Sequence, residues 1–226
     1  MLFRSIRFDE RDLRAMGRPA FGNRGISLKK GDYVIGAAVT PSNDARNKAR
    51  LARAAAAGLA AEVEKAIDEA ADSAASQPLT LAEADDTTAA PELSPEAAAK
   101  LQKLDEKLGL TPCLILTVSE NGYGKRTDVD AYRLQSRGGK GVINMKANSK
   151  VGKVVSIQLV DDTTEMMVIS QFGKIIRIDT KSVRAAGRST SGVRLLNLES
   201  DDKVASATVI PPEDPKTNGE NGTLVQ

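Results

Sequence analysis

The sequence predicts a mainly β fold of propeller-like blades, each of four antiparallel strands, with an inserted Ala-rich helical segment. Three observations lead there. Residues 6–39 lie over residues 176–209 without a gap, so that Arg7, Arg14, Gly17, Arg18, Gly22, Arg24, Leu28, Asp32, Val34 and Val39 recur as Arg177, Arg184, Gly187, Arg188, Gly192, Arg194, Leu198, Asp202, Val204 and Val209. A third copy lies 51 positions before the last, matching Gly122, Arg126, Arg137 and Gly141 to Gly173, Arg177, Arg188 and Gly192. Within each copy, short alternating apolar stretches are separated by glycine-bearing turns, whereas helical repeats would need apolar faces of period 3.6. Periods of this size belong to propellers, solenoids and arrays, and four strands in about fifty residues is the content of one blade.

The elements follow in order. Residues 1–40 form part of one blade. Residues 41–111 break the repeat: ARNKARLARAAAAGLAAEVEKAIDEAADSAAS sets Leu51, Leu59, Val63 and Ile67 near helical spacing and reads as one helix. A loose acidic stretch, SQPLTLAEADDTTAAPEL, comes next. A second helix is expected in SPEAAAKLQKLDEKLGL, with Ser94 as its cap and Pro95 in its first turn. The insert falls in an exposed connection, where extra length costs little, and is expected to be a tolerated, partly disordered spacer. Residues 112–212 hold two further blades. LILTVSENGYGKRTDV and EMMVISQFGKIIRIDT read as hairpins, and GVINM or GVRLLNL, then KVVSIQLV or KVASATVI, supply the remaining strands. The end, residues 213–226, is polar with Pro and Gly and is expected to be disordered.

Composition narrows the chemistry. The 226 residues include one cysteine, no histidine and no tryptophan, and only 3 % are aromatic. Catalysis by Ser-His-Asp or Cys-His, and zinc sites built on histidine or on several cysteines, cannot be assembled from this set. Cys113 rules out a disulfide framework and reads as a small buried hydrophobe in a reducing compartment. No apolar run reaches the ~20 residues of a membrane span, and MLFRSIRFDE has no signal-peptide stretch, so a soluble intracellular chain is expected. The net charge of +2 hides two basic blocks, +4 over residues 1–40 and +5 over 112–212, around an acidic insert of −5. A basic face attracts polyanions whatever the total charge.

One loop recurs in every copy. It carries Gly17, Arg18, Gly22 and Arg24, then Arg137, Gly138, Gly139, Lys140 and Gly141, then Gly187, Arg188, Gly192 and Arg194. Turn chemistry explains the glycines, which supply positive φ, but leaves the arginines without a reason. Arginine is a fork suited to phosphate, and neighbouring glycines let backbone N–H groups approach an anion. Equivalent loops of rotating blades share one rim, so their cations would form a curved basic track for a duplex held by its backbone. A solvated arginine face with no ligand is the competing reading. Without an aromatic platform, single-strand stacking fits poorly.

NGYGKRTDVDAY, the QSRGGKG loop (residues 135–141) and VRAAGRSTSGVRLLNLESDDKVASATVIP resemble the C-terminal domain of the DNA gyrase A subunit. The resemblance covers residues 1–40 and about 112–212. It implies a six-bladed β-pinwheel whose basic rim wraps double-stranded DNA, with these residues as its last three blades. It also implies the expected DNA contacts: Arg14, Arg18, Arg24, Lys125, Arg126, Arg137, Lys140, Arg184, Arg188 and Arg194, with loop glycines Gly17, Gly22, Gly138, Gly139, Gly141, Gly187 and Gly192. QSRGGKG differs from the family's first-blade box only at Ser136, yet it sits in the penultimate blade and reads as a degenerate cousin. The family's cleaving tyrosine has no counterpart; Tyr33, Tyr123 and Tyr132 lie in repeat segments. No GxxxxGK[ST] pattern occurs, so ATP and Mg would enter through the gyrase B subunit. The implied partners are double-stranded DNA, the B subunit, and a second A subunit, in a bacterial cytoplasm and without a membrane. The implied role is DNA wrapping in support of negative supercoiling, by a fragment inactive alone. The related topoisomerase IV A subunit, and a propeller used only for protein interaction, are the alternatives.

Overall fold

The computed structural model describes residues 2–76, 95–146 and 148–210. The stretch 77–94, including the expected cap Ser94, and the tail 213–226 lie outside the described residues. In chain order the elements are β1 (Leu2–Ser5), α1 (Asn43–Ala57), α2 (Ala60–Ser76), α3 (Pro95–Lys107), β2 (Leu114–Ser119), β3 (Tyr123–Asp128), β4 (Val142–Lys146), β5 (Val154–Val160), β6 (Glu165–Ser170), β7 (Ile175–Asp179), β8 (Val193–Arg194) and β9 (Val204–Ile210). All strand pairs are antiparallel.

Both expected hairpins form. β2 pairs β3 from Leu114↔Asp128 to Val118↔Gly124, and β6 pairs β7 from Glu165↔Asp179 to Ile169↔Ile175. Their turns carry Gly122 and Gly173 in the left-handed region, at φ 77° and 84°. β5 and β9 add to the other edges of β2 and β6, each ladder slipping at the equivalent place, Val118/Ser119 and Ile169/Ser170. The alternating residues Leu114, Leu116 and Val118 meet Met166 and Val168, with Val160, Val183, Leu196, Val204 and Ala207 completing one core between the sheets. Burial of each such side chain contributes roughly 1.5–3 kcal/mol.

The third strand of each copy departs from expectation. β8 belongs to the third copy by sequence, yet it pairs with β3 of the second, and β4 of the second pairs with β1 of the first. The sheet β5-β2-β3-β8 has four strands only because the next copy lends one; the other two sheets hold two and three among the described residues. In the first copy, residues 34–40 align with β9 but form no strand. Val34 and Val39 are 59 % and 87 % exposed, against 2 % for Val204, the equivalent of Val34. β9 is held by β6, whereas no strand among the described residues pairs with residues 34–40.

Consecutive copies meet through one interface built twice. Gln135 N–H donates to Arg7 O at 2.8 Å, and Ala186 N–H donates to Arg126 O at 2.8 Å. Ser27 N–H donates to Gly139 O, and Lys146 N–H to Thr190 O, at 2.9 and 3.4 Å. In the same register, Arg7 reaches the short turn of the second copy, donating to Val129 O and Tyr132 O at 3.1 and 3.3 Å. Arg126 reaches the short turn of the third, donating to Val183 O and Lys181 O at 2.7 and 3.1 Å. A Cβ on Gly141 would lie 2.6 Å from Ser5 O, and one on Gly192 would lie 2.5 Å from Gly124 O. Glycine at these two places is therefore a packing requirement of the joint.

The insert is helical, as expected, but it is neither one helix nor a loose spacer where described. Gly58, at φ 71°, ends α1 by donating back to Ala54 O and Ala55 O, so the Ala-rich run divides into two helices. Pro95 opens α3. Ala54, Val63, Ala66, Ala70, Leu101, Leu104 and Leu108 give the three helices a core of their own.

Candidate nucleic-acid interface

The second and third of the recurring loops fall at matched places, each against the preceding copy. Arg188 donates to Ile143 O at 2.9 Å, and Arg137 donates to Arg24 O at 3.5 Å, each carbonyl belonging to the copy before. Arg137 also donates from Nε to Asp12 O at 3.0 Å. These arginines thus have a structural task that the sequence did not reveal: each braces its loop on the neighbouring copy. Arg137 stays exposed while doing so, as does Lys140, and Arg188 is half-buried.

Two expected DNA contacts are overturned. Lys125 is fully buried, and its ammonium donates to Asn144 O at 2.6 Å, to Gly187 O at 2.7 Å and to Arg188 O. All three of its donors are used inside the protein. Burial, with Arg188 nearby, pulls its pKa down to about 7. Arg126 is 7 % exposed, with its guanidinium divided between the turn carbonyls and the Asp162 carboxylate. Both sit on β3, a central strand closed on both faces, so neither can reach a ligand at the rim. Their charge serves the joint between copies.

The remaining cations are differently placed. Arg14, Arg18, Arg24 and Arg184 are exposed, and their side chains hold no hydrogen bond or ion pair among the described residues. Arg194 is exposed and lies 5.5 Å from the Tyr123 ring centre, donating to the Tyr123 hydroxyl from Nη2 at 2.9 Å. That contact holds the Tyr123 hydroxyl below its ordinary pKa. Among the loop glycines, Gly22, Gly138, Gly141 and Gly192 take positive φ, while Gly17, Gly139 and Gly187 do not. Arg133, the second-copy equivalent of Arg14 and Arg184, was not among the expected site residues. It is only 4 % exposed, and its Nε has no partner. The aligned arginine was legible; its burial was not.

A family model described as the DNA gyrase C-terminal domain, beta-propeller, matches residues 4–41, 114–161 and 164–211. The chain belongs to this family. The three matched stretches coincide with the three copies and leave out the helical insert. A DNA gyrase A subunit of Campylobacter jejuni is 50 % identical over 93 residues, covering 41 % of this chain and 11 % of the relative. One of Rickettsia bellii is 34 % identical over 208 residues, covering 92 % of this chain and 21 % of the relative. Among solved structures, a DNA gyrase A C-terminal domain shares 30 % identity and 43 % of this chain, or 33 % of its own, at a TM-score of 0.42. The chain spans between 11 and 21 % of the length of the curated relatives it matches. No helix among the described residues is long and apolar enough to cross a membrane.

Proposed function

We propose that this chain binds the phosphate backbone of double-stranded DNA along its rim and bends it, as the wrapping part of a bacterial, cytoplasmic DNA gyrase. Exposed arginines at equivalent places in different copies carry this reading: Arg18 with Arg137 in the first and second, and Arg14 with Arg184 and Arg24 with Arg194 in the first and third. Guanidiniums that recur at matched places give phosphates a set of forks by which a duplex backbone can be held. In the holoenzyme, the gyrase B subunit would contribute ATP and Mg, and a second A subunit would complete the assembly that passes one duplex segment through another. The wrapped segment would fix the handedness of that passage, giving negative supercoils.

The test is a gel-shift titration of a duplex across a salt series. Six phosphate contacts correspond to an affinity loss on the order of 10³-fold between low and moderate salt. Alanine at Arg14, Arg18, Arg24 and Arg184 together should lower the salt slope by about 0.9 for each phosphate that is no longer neutralised. An unchanged slope in that variant would reject the rim as the DNA-binding surface.

A further inference from the structure

Among the described residues, the helical insert meets the β units at the short turn Val129–Ala131, which also receives Arg7 of the first copy. Asp128 caps that turn by accepting from Asp130 N–H at 2.8 Å, and Asp130 itself is 8 % exposed. Three arginines converge on Asp130. Arg46 of α1 donates to Oδ1 at 2.7 Å, with its other nitrogen 3.7 Å from Asp128. Arg50 of α1 lies 3.6 Å from Oδ2 while holding Asp105 of α3 by two hydrogen bonds of 2.7 Å. Arg7 lies 3.8 Å from Oδ1 and donates to Asn43 Oδ1, at the start of α1, at 2.5 Å. First copy, second copy and two helices of the insert are thus tied at one carboxylate.

The repeat shows that this arrangement is specific to the first joint. The same turn reads Asp-Glu-Arg in the first copy, Asp-Val-Asp in the second and Asp-Thr-Lys in the third, with the leading aspartate capping it each time. Position 130 is acidic only where the insert docks; its equivalents are Arg11 and Lys181, both exposed. At the second joint, Arg126 meets the turn carbonyls and Asp162, with no helix over it among the described residues. Burial with Asp130 alongside raises the pKa of Asp128, and burial lowers that of Arg7, so these charges hold their places only as a set.

We propose that the insert is a clasp that fixes the angle between the first and second copies, with Asp130 as its anchor, while the unclasped second joint keeps more freedom. Through that angle, the insert sets the curvature of the array at the first joint. The clasp does not depend on whether the rim touches DNA.

The test replaces Asp130 with lysine, the residue that the third copy carries there. Removing the carboxylate and adding a cation beside Arg7, Arg46 and Arg50 should cut hydrogen-exchange protection of α1 on the order of 100-fold or more, with β2 and β6 still protected. Spin labels at Lys29 and Ser149 report on the first joint, and labels at Ser149 and Ser200 on the second, with Cys113 replaced by alanine. In Asp130→Lys the first distance distribution should broaden and the second should not; Asp130→Asn, which keeps the size, should fall between. Retained protection of α1 would show that Asp130 does not hold the insert. Lost protection with an unchanged first distance would show that the insert is a passenger on a joint rigid without it.

Discussion

Replacing Arg126 with methionine tests whether the repeated arginine is a link between copies or a ligand for DNA. Methionine keeps much of the aliphatic stem and removes only the guanidinium. The bonds to Val183 O at 2.7 Å and Lys181 O at 3.1 Å go with it, as does the ion pair with Asp162. A hydrogen bond from a charged donor is worth about 1.5–3 kcal/mol, and the Val183 carbonyl would stay at the joint unsatisfied. Asp162 is 40 % exposed and rehydrates, so its share is small. The expected cost is about 3–4 kcal/mol, or roughly 6–16 °C in Tm for a domain of this size. Arg177, the same residue one copy later, is 57 % exposed and among the described residues pairs with Glu165 alone. Its replacement by methionine should cost no more than about 1 kcal/mol. Thermal and urea unfolding of the two variants make the comparison inside one chain. Equal losses, or an Arg126 variant of full stability whose DNA salt slope falls, would refute the link.

Three further outcomes are expected together. Alanine at Gly141 or Gly192 should lower the urea midpoint far more than alanine at Gly22, because a Cβ at the first two meets backbone oxygen within 2.6 Å while the space at Gly22 is open. At Gly22 only the left-handed φ costs energy, about 1–2 kcal/mol. Lys125 titrates near 7 in the folded protein against 10.5 for an ordinary lysine, so the unfolded chain binds more protons between these values. Stability should therefore rise with pH from about 7 to 10.5 by a contribution that Lys125→Met lacks, read as a growing difference in unfolding free energy. A difference that stays flat over that range would contradict the burial of the ammonium. Finally, Arg50→Met should unfold α1 and α3 at lower urea than β2 and β6, since Asp105 loses both of its 2.7 Å bonds.

Much of the fold was legible because a hairpin declares itself locally. The runs LILTVS and EMMVIS alternate, and a glycine with positive φ sits where each turn must be. Strand exchange between copies was not legible, because the pattern of GVINM or GVRLL says that a strand exists and not which neighbour it joins. Lys125 and Arg126 were misplaced for a related reason. On a strand closed on both faces, alternation no longer separates buried from exposed residues, and a lysine among three carbonyls looks like any surface lysine in the sequence. Gly58 carried the signal that divides the Ala-rich run, as a left-handed helix cap, and the density of alanine masked it. The docking of the insert could have been suspected from position 130, where an aspartate replaces the Arg11 and Lys181 of the sister turns.

The central claim, that equivalent loops face one duplex together, is tested most directly by hydrogen exchange with and without a saturating duplex at low salt. Protection should rise together at the loops around Arg18, Arg137 and Arg188, while β3 stays as it was. Protection confined to the helices of the insert, or no change in any of the three loops, would contradict it.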